Sequence, residues 1–505
     1  MSGALNIADS FLVDRLAEGN GDRIAIRHRG GVITYEEVNR LADRYAHALG
    51  VVGVRREGRV FIVLPDGPDF VAALFGILKK GAVAVMVNPG LAAERIGELV
   101  EFCRPTAAVV DDAVADRLSG PLPRLVLASG QEGGGVTVDD MSPQPFPTAS
   151  TDRDDPAIWL FSGGTTGVPK AVVQTHRSFA NTTRLYAQDT LGYRPDDVTM
   201  AIPKLYFGYA TGSNLLFPFS VGASTVLFAE HPTPALVFDL IARHRPTILV
   251  NVPTMVAKMI NHPDASTGDL SSLRFATSAG EALPAALYRR WKDTFGVELL
   301  DGLGTAEMWH IFISNRPGDV RPGTLGKPVE GFDIRVCDEE GNDVAGGEVG
   351  RLWARGDSLA RGYWRDEKAT AEAFRDGWFV GGDLVRRDGD GYVEHHGRAG
   401  EALKVGGKWL APQEVESCLL QHEAVEAAAV VGVADRAGLI KPVAFVVTSQ
   451  RRPGLEDELM AHSLQHLEAY KHPRRVILVD ALPATHLGKV DRSKLKGMAA
   501  QDPPS

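Results

Sequence analysis

The stretch AIWLFSGGTTGVPKAVV, residues 157–173, places apolar runs on both sides of a loop rich in glycine and threonine. The apolar runs favour β-structure, so the stretch predicts a strand, a loop and a second strand. Glycines let backbone N–H groups approach an anion closely, hydroxyl groups add donors, and Lys170 adds positive charge. The loop therefore predicts a polyphosphate-binding site.

This loop differs from the phosphate loop of the P-loop nucleotide hydrolases. It does not match the pattern GxxxxGK[ST], and no helix is predicted directly after it. For the loop taken alone, a glycine-rich surface turn is the alternative interpretation. Lys170 and the motifs that follow along the chain favour phosphate binding over that alternative.

The size and composition of the chain exclude several classes of protein. A chain of 505 residues with 44% hydrophobic and 23% charged residues predicts two or more domains. Its 54 Lys and Arg residues against 64 Asp and Glu residues give a formal charge of −10, which argues against general nucleic-acid binding. No segment approaches the roughly 20 apolar residues of a membrane helix, and the N-terminus shows no secretory pattern, so we expect neither a membrane nor a secreted protein.

The three cysteines, Cys103, Cys337 and Cys418, lie far apart and form no CxxC pair. Their spacing gives neither a disulfide framework nor a zinc site. The sequence therefore predicts a reduced compartment, which we take to be the cytoplasm.

The order of predicted elements indicates an α/β fold with two parts. Helix and strand patterns alternate over residues 33–250, which predicts two α/β layers with parallel sheets. Residues 129–156 have the composition of a loop. Short strands between Gly- and Asp-containing turns over residues 333–396 predict a small β-barrel-like subdomain. We expect a large N-terminal domain over residues 1–400 and a small mobile α+β domain over residues 401–505.

At the glycine-rich loop the sequence resembles the adenylate-forming superfamily, whose signature there is [ST]SGTTGxPKG. Two further segments, KLYFGYATGSN (204–214) and MWHIFISNRPGDV (308–320), resemble the benzoate-CoA ligase branch. The resemblance implies an AMP-forming acid–thiol ligase that uses ATP, Mg²⁺ and coenzyme A. Six more superfamily motifs follow in order: SAGEALP (278–284), DGLGTAE (301–307), GD (382–383), GR (397–398), KVGG (404–407) and LPATHLGK (482–489).

The resemblance implies a role for each motif in ATP binding. Glu307 would bind magnesium, Asp383 would accept both ribose hydroxyls, and Arg398 would lie beside the ribose and phosphate. The glycine-rich loop would hold the β and γ phosphates, and the motifs at 278–284 and 301–307 would contribute the walls of the adenine site. The residues assigned to these two groups are Ser162, Gly163, Gly164, Thr165, Thr166, Gly167 and Lys170 for the phosphates, and Gly280, Glu281, Asp301 and Gly302 for adenine.

The C-terminal motifs imply a second set of roles. Lys489 resembles the lysine that bridges the acid carboxylate and the α-phosphate. In the superfamily the C-terminal domain then rotates so that a thiol can attack. The hinge position falls at Gly400, with Glu401 beside it. The tunnel for the pantetheine arm of coenzyme A would be lined by Lys404, Gly406 and Gly407.

The acid pocket implied by the resemblance is apolar and aromatic, with few polar groups. Such a lining predicts an aromatic or otherwise bulky apolar acid. The alternative is that some of these rings belong to the core. Gly208 stands where benzoate ligases usually carry alanine, so we expect a slightly deeper pocket, with ring-substituted and polycyclic acids as open alternatives. The residues assigned to this pocket are Tyr206, Phe207, Gly208, Tyr209, Ser278, Ala279, Gly304, Trp309 and His310.

Five positions depart from the superfamily pattern, and four of them lack the usual hydroxyl or carboxylate. Ala306 is the most consequential, because a hydroxyl there would donate to a phosphate oxygen in a charge-assisted bond of about 1.5 to 3 kcal/mol. The charged residues of the motifs are retained, so adenylation is still expected. The departing positions are Gly163, Ala171, Ala306, Gly381 and Gly400.

Three functions follow from this pattern. The leading one is an acid–coenzyme A ligase with an adenylating and a thioester-forming step. The second is adenylation only, with the acyl group passed to a carrier protein or a separate ligase. The third, from a different class, is a degenerate nucleotide-binding regulatory protein. The expected partners are a small carboxylic acid and coenzyme A, with a homodimer as the expected assembly.

We predict that Lys489→Ala nearly abolishes formation of the acyl-adenylate. Removal of one preorganised donor of this kind typically lowers a rate about 10²- to 10³-fold. Acid-dependent release of pyrophosphate measures this step directly, and Lys496→Ala, outside the motif, is the control. Pyrophosphate release near the wild-type rate would contradict the role assigned to Lys489.

Overall fold

The computed structural model of the chain describes residues 3–117, 124–128, 135–162, 170–281, 283–401, 403–405, 408–435, 438–483 and 490–501. Several residues assigned above lie outside this part of the chain, and their roles stay predictions. They are Gly163, Gly164, Thr165, Thr166, Gly167, Gly406, Gly407, Lys489 and the side chain of Lys404.

The strands of the described residues are numbered in chain order. They are β1 (Ile24–His28), β2 (Gly31–Thr34), β3 (Arg59–Val63), β4 (Val83–Met86), β5 (Ala107–Val110), β6 (Arg124–Leu127), β7 (Val136–Thr137), β8 (Pro156–Ser162), β9 (Lys170–Thr175), β10 (Val198–Ala201), β11 (Ser224–Val226), β12 (Ile248–Asn251), β13 (Phe275–Ser278), β14 (Leu299–Gly304), β15 (Ile311–Ser314), β16 (Lys327–Pro328), β17 (Asp333–Cys337), β18 (Val349–Arg355), β19 (Phe374–Arg375), β20 (Trp378–Arg387), β21 (Val393–Arg398), β22 (Leu403–Val405), β23 (Lys408–Leu410), β24 (Ala427–Ala434), β25 (Ile440–Val447) and β26 (Arg475–Val479).

The α-helices are α1 (Asp14–Ala17), α2 (Tyr35–Val51), α3 (Pro68–Lys79), α4 (Ala93–Cys103), α5 (Asp112–Ala115), α6 (His176–Thr182), α7 (Gly208–Thr211), α8 (Phe217–Ser220), α9 (Pro234–His244), α10 (Pro253–Ile260), α11 (Ala285–Phe295), α12 (Glu367–Ala373), α13 (Pro412–Leu419), α14 (Leu455–His466) and α15 (Arg492–Ala500). Short π-helical segments cover Asp9–Val13, Thr183–Thr190 and Gly212–Leu216, and 3₁₀ turns cover Val138–Asp140, Pro263–Ser266 and Ala306–Met308.

Two large sheets confirm the predicted α/β layers. The seven-stranded sheet has the order β7-β6-β5-β3-β4-β8-β9, and the nine-stranded sheet has the order β16-β15-β14-β13-β12-β10-β11-β1-β2. The inner strands are parallel, and β4 and β5 are buried at every position, as apolar strands covered on both faces are. The predicted strand, loop and strand is also confirmed, since β8 pairs antiparallel with β9 and Ser162 lies opposite Lys170.

Helices α2 and α3 connect the two sheets. Helix α2 begins at a capping box between Thr34 and Glu37 and contacts β1, whereas α3 contacts β3 and β4. Helix α3 is buried from Phe70 to Lys79, so even its lysine is enclosed. Lys79 Nζ lies 2.6 Å from Asp43 Oδ1 on α2, and the two side chains are 3% and 2% exposed.

The remaining sheets are smaller. The predicted β-rich subdomain is an antiparallel sheet in the order β17-β18-β20-β19, with β21 paired to β20 and with β17 at an open edge. The C-terminal domain has the hairpin β22-β23 and the sheet β24-β25-β26, against which α13, α14 and α15 pack. Its two buried clusters consist only of residues between Leu403 and Ala499. Among the described residues, no helix has both the length and the apolar character required to cross a bilayer.

We predict that Lys79→Met lowers the free energy of unfolding by about 3 to 5 kcal/mol, because it leaves the Asp43 carboxylate buried without its partner. Urea unfolding measures the change. The matched control is Arg243→Ala, which breaks the exposed pair with Asp239 on α9 and should cost no more than about 0.5 kcal/mol. A loss equal to that of the control would contradict a stabilising role for the Lys79 pair.

Candidate functional site

The carboxyl ends of three parallel strands form the centre of the candidate site. Register places Asn251, the last residue of β12, opposite Ser278, the last residue of β13, and Ser278 opposite Asp301, where the parallel pairing of β13 with β14 ends. Ligands in open α/β sheets bind at this edge, because loops leave the strands there and open a crevice. Three separate sequence segments thus meet at one place.

Asp301 is a buried acid with unused hydrogen-bonding capacity. Its side chain is 5% exposed, and Oδ1 has no hydrogen-bond partner within the described part of the chain. Burial raises the pKa of Asp301 to about 8, and the Ser278 hydroxyl and the N–H groups of Gly302 and Leu283 offset only part of that rise. A buried oxygen without a partner is costly unless a ligand supplies one, so Asp301 is a candidate ligand contact.

Glu307 lies in the 3₁₀ turn that follows β14 and is held by Tyr363. The Tyr363 hydroxyl donates to Glu307 Oε1 at 2.7 Å, and the N–H group of Ala360 donates to the Glu307 carbonyl oxygen at 2.8 Å. Burial and the nearby Glu307 carboxylate raise the pKa of Tyr363, so it stays a neutral donor. This arrangement leaves Glu307 Oε2 for a hard cation such as Mg²⁺, which prefers carboxylate oxygen.

Lys170 approaches the same group of residues. Its Nζ lies 4.8 Å from the centre of the Tyr363 ring, within the range of a cation–π contact. Since Ser162 pairs with Lys170, both ends of the glycine-rich loop lie beside the Glu307 turn. Among the described residues, the structure thus brings Ser162 and Lys170, predicted to bind phosphate, close to Glu307, predicted to bind magnesium.

Asp383 and Arg398 face each other across β20 and β21. Arg398 Nε lies 3.5 Å from Asp383 Oδ1, and His395 Nε2 lies 3.1 Å from the same oxygen. The Asp383 side chain is 10% exposed. A hydrogen bond from His395 and an ion pair with Arg398 thus restrict the orientation of the Asp383 carboxylate.

Tyr209 and His310 form the polar part of the predicted acid pocket. The Tyr209 hydroxyl lies 2.7 Å from Thr277 Oγ1, and His310 Nε2 lies 3.0 Å from the Tyr209 carbonyl oxygen and 3.2 Å from Ser213 Oγ. Because a carbonyl oxygen only accepts, His310 Nε2 carries the hydrogen. Burial lowers the pKa of His310 to about 4, so the ring is neutral at neutral pH.

The backbone before His310 is strained. Trp309 has φ 62° and ψ −52°, and the His310 N–H group donates to the Met308 carbonyl oxygen at 2.9 Å. This is a γ-turn with positive φ, which is rare for a bulky residue and typical of functional sites. Two glycines make room for His310: a Cβ at Gly212 would lie 2.4 Å from its Cδ2, and one at Gly304 would lie 2.5 Å from its carbonyl oxygen.

The other predicted pocket residues divide between core and crevice. The Trp309 ring is 2% exposed and packs edge-to-face on Phe179 and Phe217, so it lies in the core. For this ring the alternative that it belongs to the core, and not to the acid pocket, is correct. Tyr206 and Phe207 are partly exposed, with ring centres 4.6 Å apart. Ser278 and Ala279 are buried beside Asp301.

Four residues that the sequence analysis does not assign also touch the site: Tyr363, His395, Ser213 and Thr277. Ser213 lies inside the segment 204–214, and His395 comes three residues before Arg398, so neighbouring motifs mark both of these. Tyr363 is separated from Glu307 by 56 residues. Only the fold brings that pair together.

The structure shows the surroundings of three departing positions. Ala171 is fully buried in the cluster that contains Trp159, so its methyl group packs. A Cβ at Gly381 would meet its nearest atoms at 3.4 Å, and one at Gly400 would meet none within 4 Å. A Cβ would therefore fit at these two positions. Next to Gly400, Glu401 Oε2 lies 3.4 Å from Arg492 Nε on α15.

We predict that Asp301 makes stability fall as pH rises. Between an ordinary aspartate pKa of 3.8 and about 8, the folded chain keeps a proton that the unfolded chain releases, so unfolding becomes easier by up to about 1.4 kcal/mol per pH unit. Asp301→Asn should remove this slope. Urea unfolding at pH 6.5 and 7.5 compares the variant with wild type and with Asp293→Asn, an exposed aspartate on α11. An unchanged slope in Asp301→Asn would contradict the assignment.

Comparisons with known proteins place these features in a family. The family model described as AMP-binding enzyme matches residues 13–364, and the one described as AMP-binding enzyme C-terminal domain matches residues 414–489. The benzoate–CoA ligase of Thauera aromatica is 40% identical over 506 residues, which cover 97% of this chain and 95% of that protein. The 4-hydroxybenzoate–CoA/benzoate–CoA ligase of Rhodopseudomonas palustris is 36% identical, covering 98% of this chain and 94% of that protein.

A solved structure agrees with these relatives. An anthranilate CoA ligase in complex with anthranoyl-AMP superposes with a TM-score of 0.93 at 37% identity, covering 99% of this chain and 98% of that one. The motif order, the fold and the relatives lead to the same conclusion. This chain belongs to the AMP-binding enzyme family, in the aryl-CoA ligase branch of the adenylate-forming superfamily.

Proposed function

We propose that this chain joins an aromatic carboxylic acid to coenzyme A in two steps. ATP first activates the acid as an acyl-adenylate with release of pyrophosphate, and the thiol of coenzyme A then displaces AMP. The observation that carries the proposal is the neutral His310, which lies on the same chain segment as Glu307. Its Nε2–H group donates to the Tyr209 carbonyl oxygen. The relatives named above act on benzoate, hydroxybenzoate or anthranilate, which are all aromatic acids.

The electrostatics of the acid pocket support an acid whose apolar part lies inside. His310 is neutral and Tyr209 is a half-buried phenol, so neither offers a positive charge to a carboxylate. Lys204, at the start of the segment, donates from Nζ to the Phe228 carbonyl oxygen at 2.6 Å, so it is already engaged. The carboxylate charge must be met at the crevice end, where we place Lys489 of the C-terminal domain.

The size of the pocket bears on which aromatic acid fits. A Cβ at Gly208 would lie 3.0 Å from Leu160 Cδ1, which is a crowded contact, so the glycine lets the segment approach Leu160 on β8 closely. We propose benzoate-sized acids that carry ring substituents as the substrate class, since the relatives named above include ligases of 4-hydroxybenzoate and anthranilate. The Tyr209 hydroxyl and the neutral His310 are the groups that would meet a polar substituent.

The proposed ATP site contains two carboxylates, those of Glu307 and Asp383, whose positions are fixed by the fold. We propose that Glu307 holds Mg²⁺, while Tyr363 positions the carboxylate without touching the ion. Bound Mg²⁺ offsets the repulsion between the acid and the phosphates. Asp383, fixed by His395 and Arg398, would accept the ribose hydroxyls. The strand ends at 278–281 and 301–302 would enclose adenine, with Asp301 as a buried donor or acceptor.

The proposed domain boundary lies at residues 400 and 401. Every residue of the C-terminal buried clusters follows residue 401, and the rest of the core precedes residue 400. Gly400 is exposed, and a Cβ added there would have no neighbouring atom within 4 Å, so the backbone has the freedom that a hinge needs. The ion pair between Glu401 and Arg492 would fix the chain just after Gly400 to α15 of the C-terminal domain. Lys404, Gly406 and Gly407, just beyond, would line the path of coenzyme A.

Location and assembly are part of the same proposal. The three cysteines are free and buried, as expected in a reduced cytoplasm. A homodimer is the assembly that we propose, and sedimentation of the purified chain tests it. A carrier protein would replace coenzyme A only under the adenylation-only alternative.

Pyrophosphate exchange with a panel of acids tests the function. We expect benzoate, hydroxybenzoates and 2-aminobenzoate to support exchange at least about tenfold better than octanoate, because the rigid aromatic pocket favours a planar ring. With coenzyme A added, thioester should accumulate. Adenylate without thioester would favour the adenylation-only alternative, and ATP binding without exchange would favour the regulatory one. A preference for octanoate would contradict the aromatic substrate class.

A further inference from the structure

Three side chains that bind transition metals lie together in the C-terminal domain, and none of them has a role in the reaction proposed above. Cys418 is on α13, and His462 and His466 are on α14. One donor atom of each residue lies within 4.8 Å of those of the other two. Cys418 is buried, His462 is half-buried and His466 is exposed, so the cluster extends from the interior of the domain to its surface.

Helical spacing explains why the two histidines share one side of α14. Side chains four residues apart lie on the same helix face, and histidine pairs with this spacing bind zinc when a neighbouring element supplies a further ligand. Helix α13 packs on α14 and supplies the Cys418 thiol. Thiolate with imidazole favours zinc, cobalt or copper(I) over magnesium and calcium.

The hydrogen bonds of the imidazoles leave one nitrogen of each ring with a lone pair. His462 Nε2 lies 3.1 Å from the Cys418 carbonyl oxygen, and His466 Nδ1 lies 2.8 Å from the His462 carbonyl oxygen. Carbonyl oxygens only accept, so these nitrogens carry the hydrogens and the other nitrogen of each ring keeps its lone pair. Metal-binding histidines are oriented in this way, with one ring nitrogen held by a carbonyl or a carboxylate.

A further histidine supports the cluster from behind. The His422 ring packs against the His462 ring, with centres 5.3 Å apart and planes at 83°. His422 Nε2 in turn lies 3.1 Å from Glu458 Oε1, and Arg452 pairs with the same carboxylate. His422 is therefore fixed by its own partners and restricts the orientation of the His462 ring.

We propose that Cys418, His462 and His466 form a three-ligand site for a zinc-class transition metal ion, with the fourth position open to solvent. A tetrahedral site with bonds of about 2.0 to 2.3 Å places its donor atoms about 3.3 to 3.6 Å apart. The side chains reach this spacing by small rotations, for which the exposed His466 at the end of α14 has room. The bound ion would link α13 to α14. Cysteine spacing gives no sign of this site, because a single cysteine supplies the thiolate.

Titration of the full-length chain, free of any histidine tag, with Co²⁺ tests the proposal. We expect one equivalent to bind with a thiolate-to-cobalt absorption band and the strong visible bands of a tetrahedral site, and Zn²⁺ to displace it. His466→Gln changes an exposed residue, so the fold is retained, and it should weaken Zn²⁺ affinity at least about tenfold. Cys418→Ser should remove the thiolate band.

The control is His231→Gln, an exposed histidine of the N-terminal domain, which should bind Co²⁺ and Zn²⁺ as wild type does. Three results would each overturn the proposal: failure of the wild-type chain to bind either ion, an unchanged Zn²⁺ affinity in His466→Gln, or a thiolate band that persists in Cys418→Ser. The last result would assign the thiolate to Cys103 or Cys337 instead.

Discussion

The hydrogen bonds around Ala306 and Glu307 hold three sheets in one arrangement. The Gln174 side chain on β9 donates to the Ala306 carbonyl oxygen at 2.6 Å, and this joins the seven-stranded sheet to the turn after β14 of the nine-stranded sheet. The Ala360 N–H group and the Tyr363 hydroxyl reach Glu307 from the segment between β18 and α12, within the five-stranded sheet region of β17 to β21. That segment also runs along β9, where N–H groups of Arg361 and Trp364 donate to β9 carbonyl oxygens. The position of the Glu307 carboxylate is thus a property of the whole N-terminal domain.

The site keeps several of its buried groups neutral. Burial shifts the pKa of Asp301 up and that of His310 down, and in both cases the uncharged form is favoured. Charge is instead concentrated at Glu307, Asp383, Lys170 and Arg398, each of which has a defined neighbour. An aromatic ring can therefore enter beside neutral groups, while its carboxylate stays near the charged edge where ATP is proposed to bind.

Much of this fold is predictable from sequence because its signals are local. The apolar runs around the glycine-rich loop predict β8 and β9, and the alternating pattern over residues 33–250 predicts the layered α/β arrangement. These elements depend on burial and periodicity within a few residues, which a sequence displays directly. The motif residues Glu307, Asp383 and Arg398 were predicted by resemblance, and the structure shows which neighbours orient them.

The remaining features depend on contacts between distant segments. Tyr363 carries no charge and lies 56 residues from Glu307, so nothing in its surroundings marks it. The positive φ at Trp309 contradicts the local preference of a bulky residue and persists because the ring packs in the core while His310 occupies the space beside Gly212 and Gly304. Likewise, the cluster on α13 and α14 exists only because two helices pack together.

Contacts between distant segments also determine the surroundings of Ala306, one of the positions that depart from the superfamily pattern. From sequence, Ala306 removes a hydroxyl next to the magnesium carboxylate. In the structure the preceding Thr305 provides the N-cap of the turn, and its Oγ1 accepts from the Met308 N–H group at 3.3 Å. That bond uses the oxygen as acceptor and leaves the hydroxyl hydrogen available for donation. The turn therefore keeps one hydroxyl group, on Thr305, while Gln174 fixes the backbone at Ala306. The side chain at Ala306 thus carries no hydroxyl, but the position of the turn is still determined by the surrounding sheets.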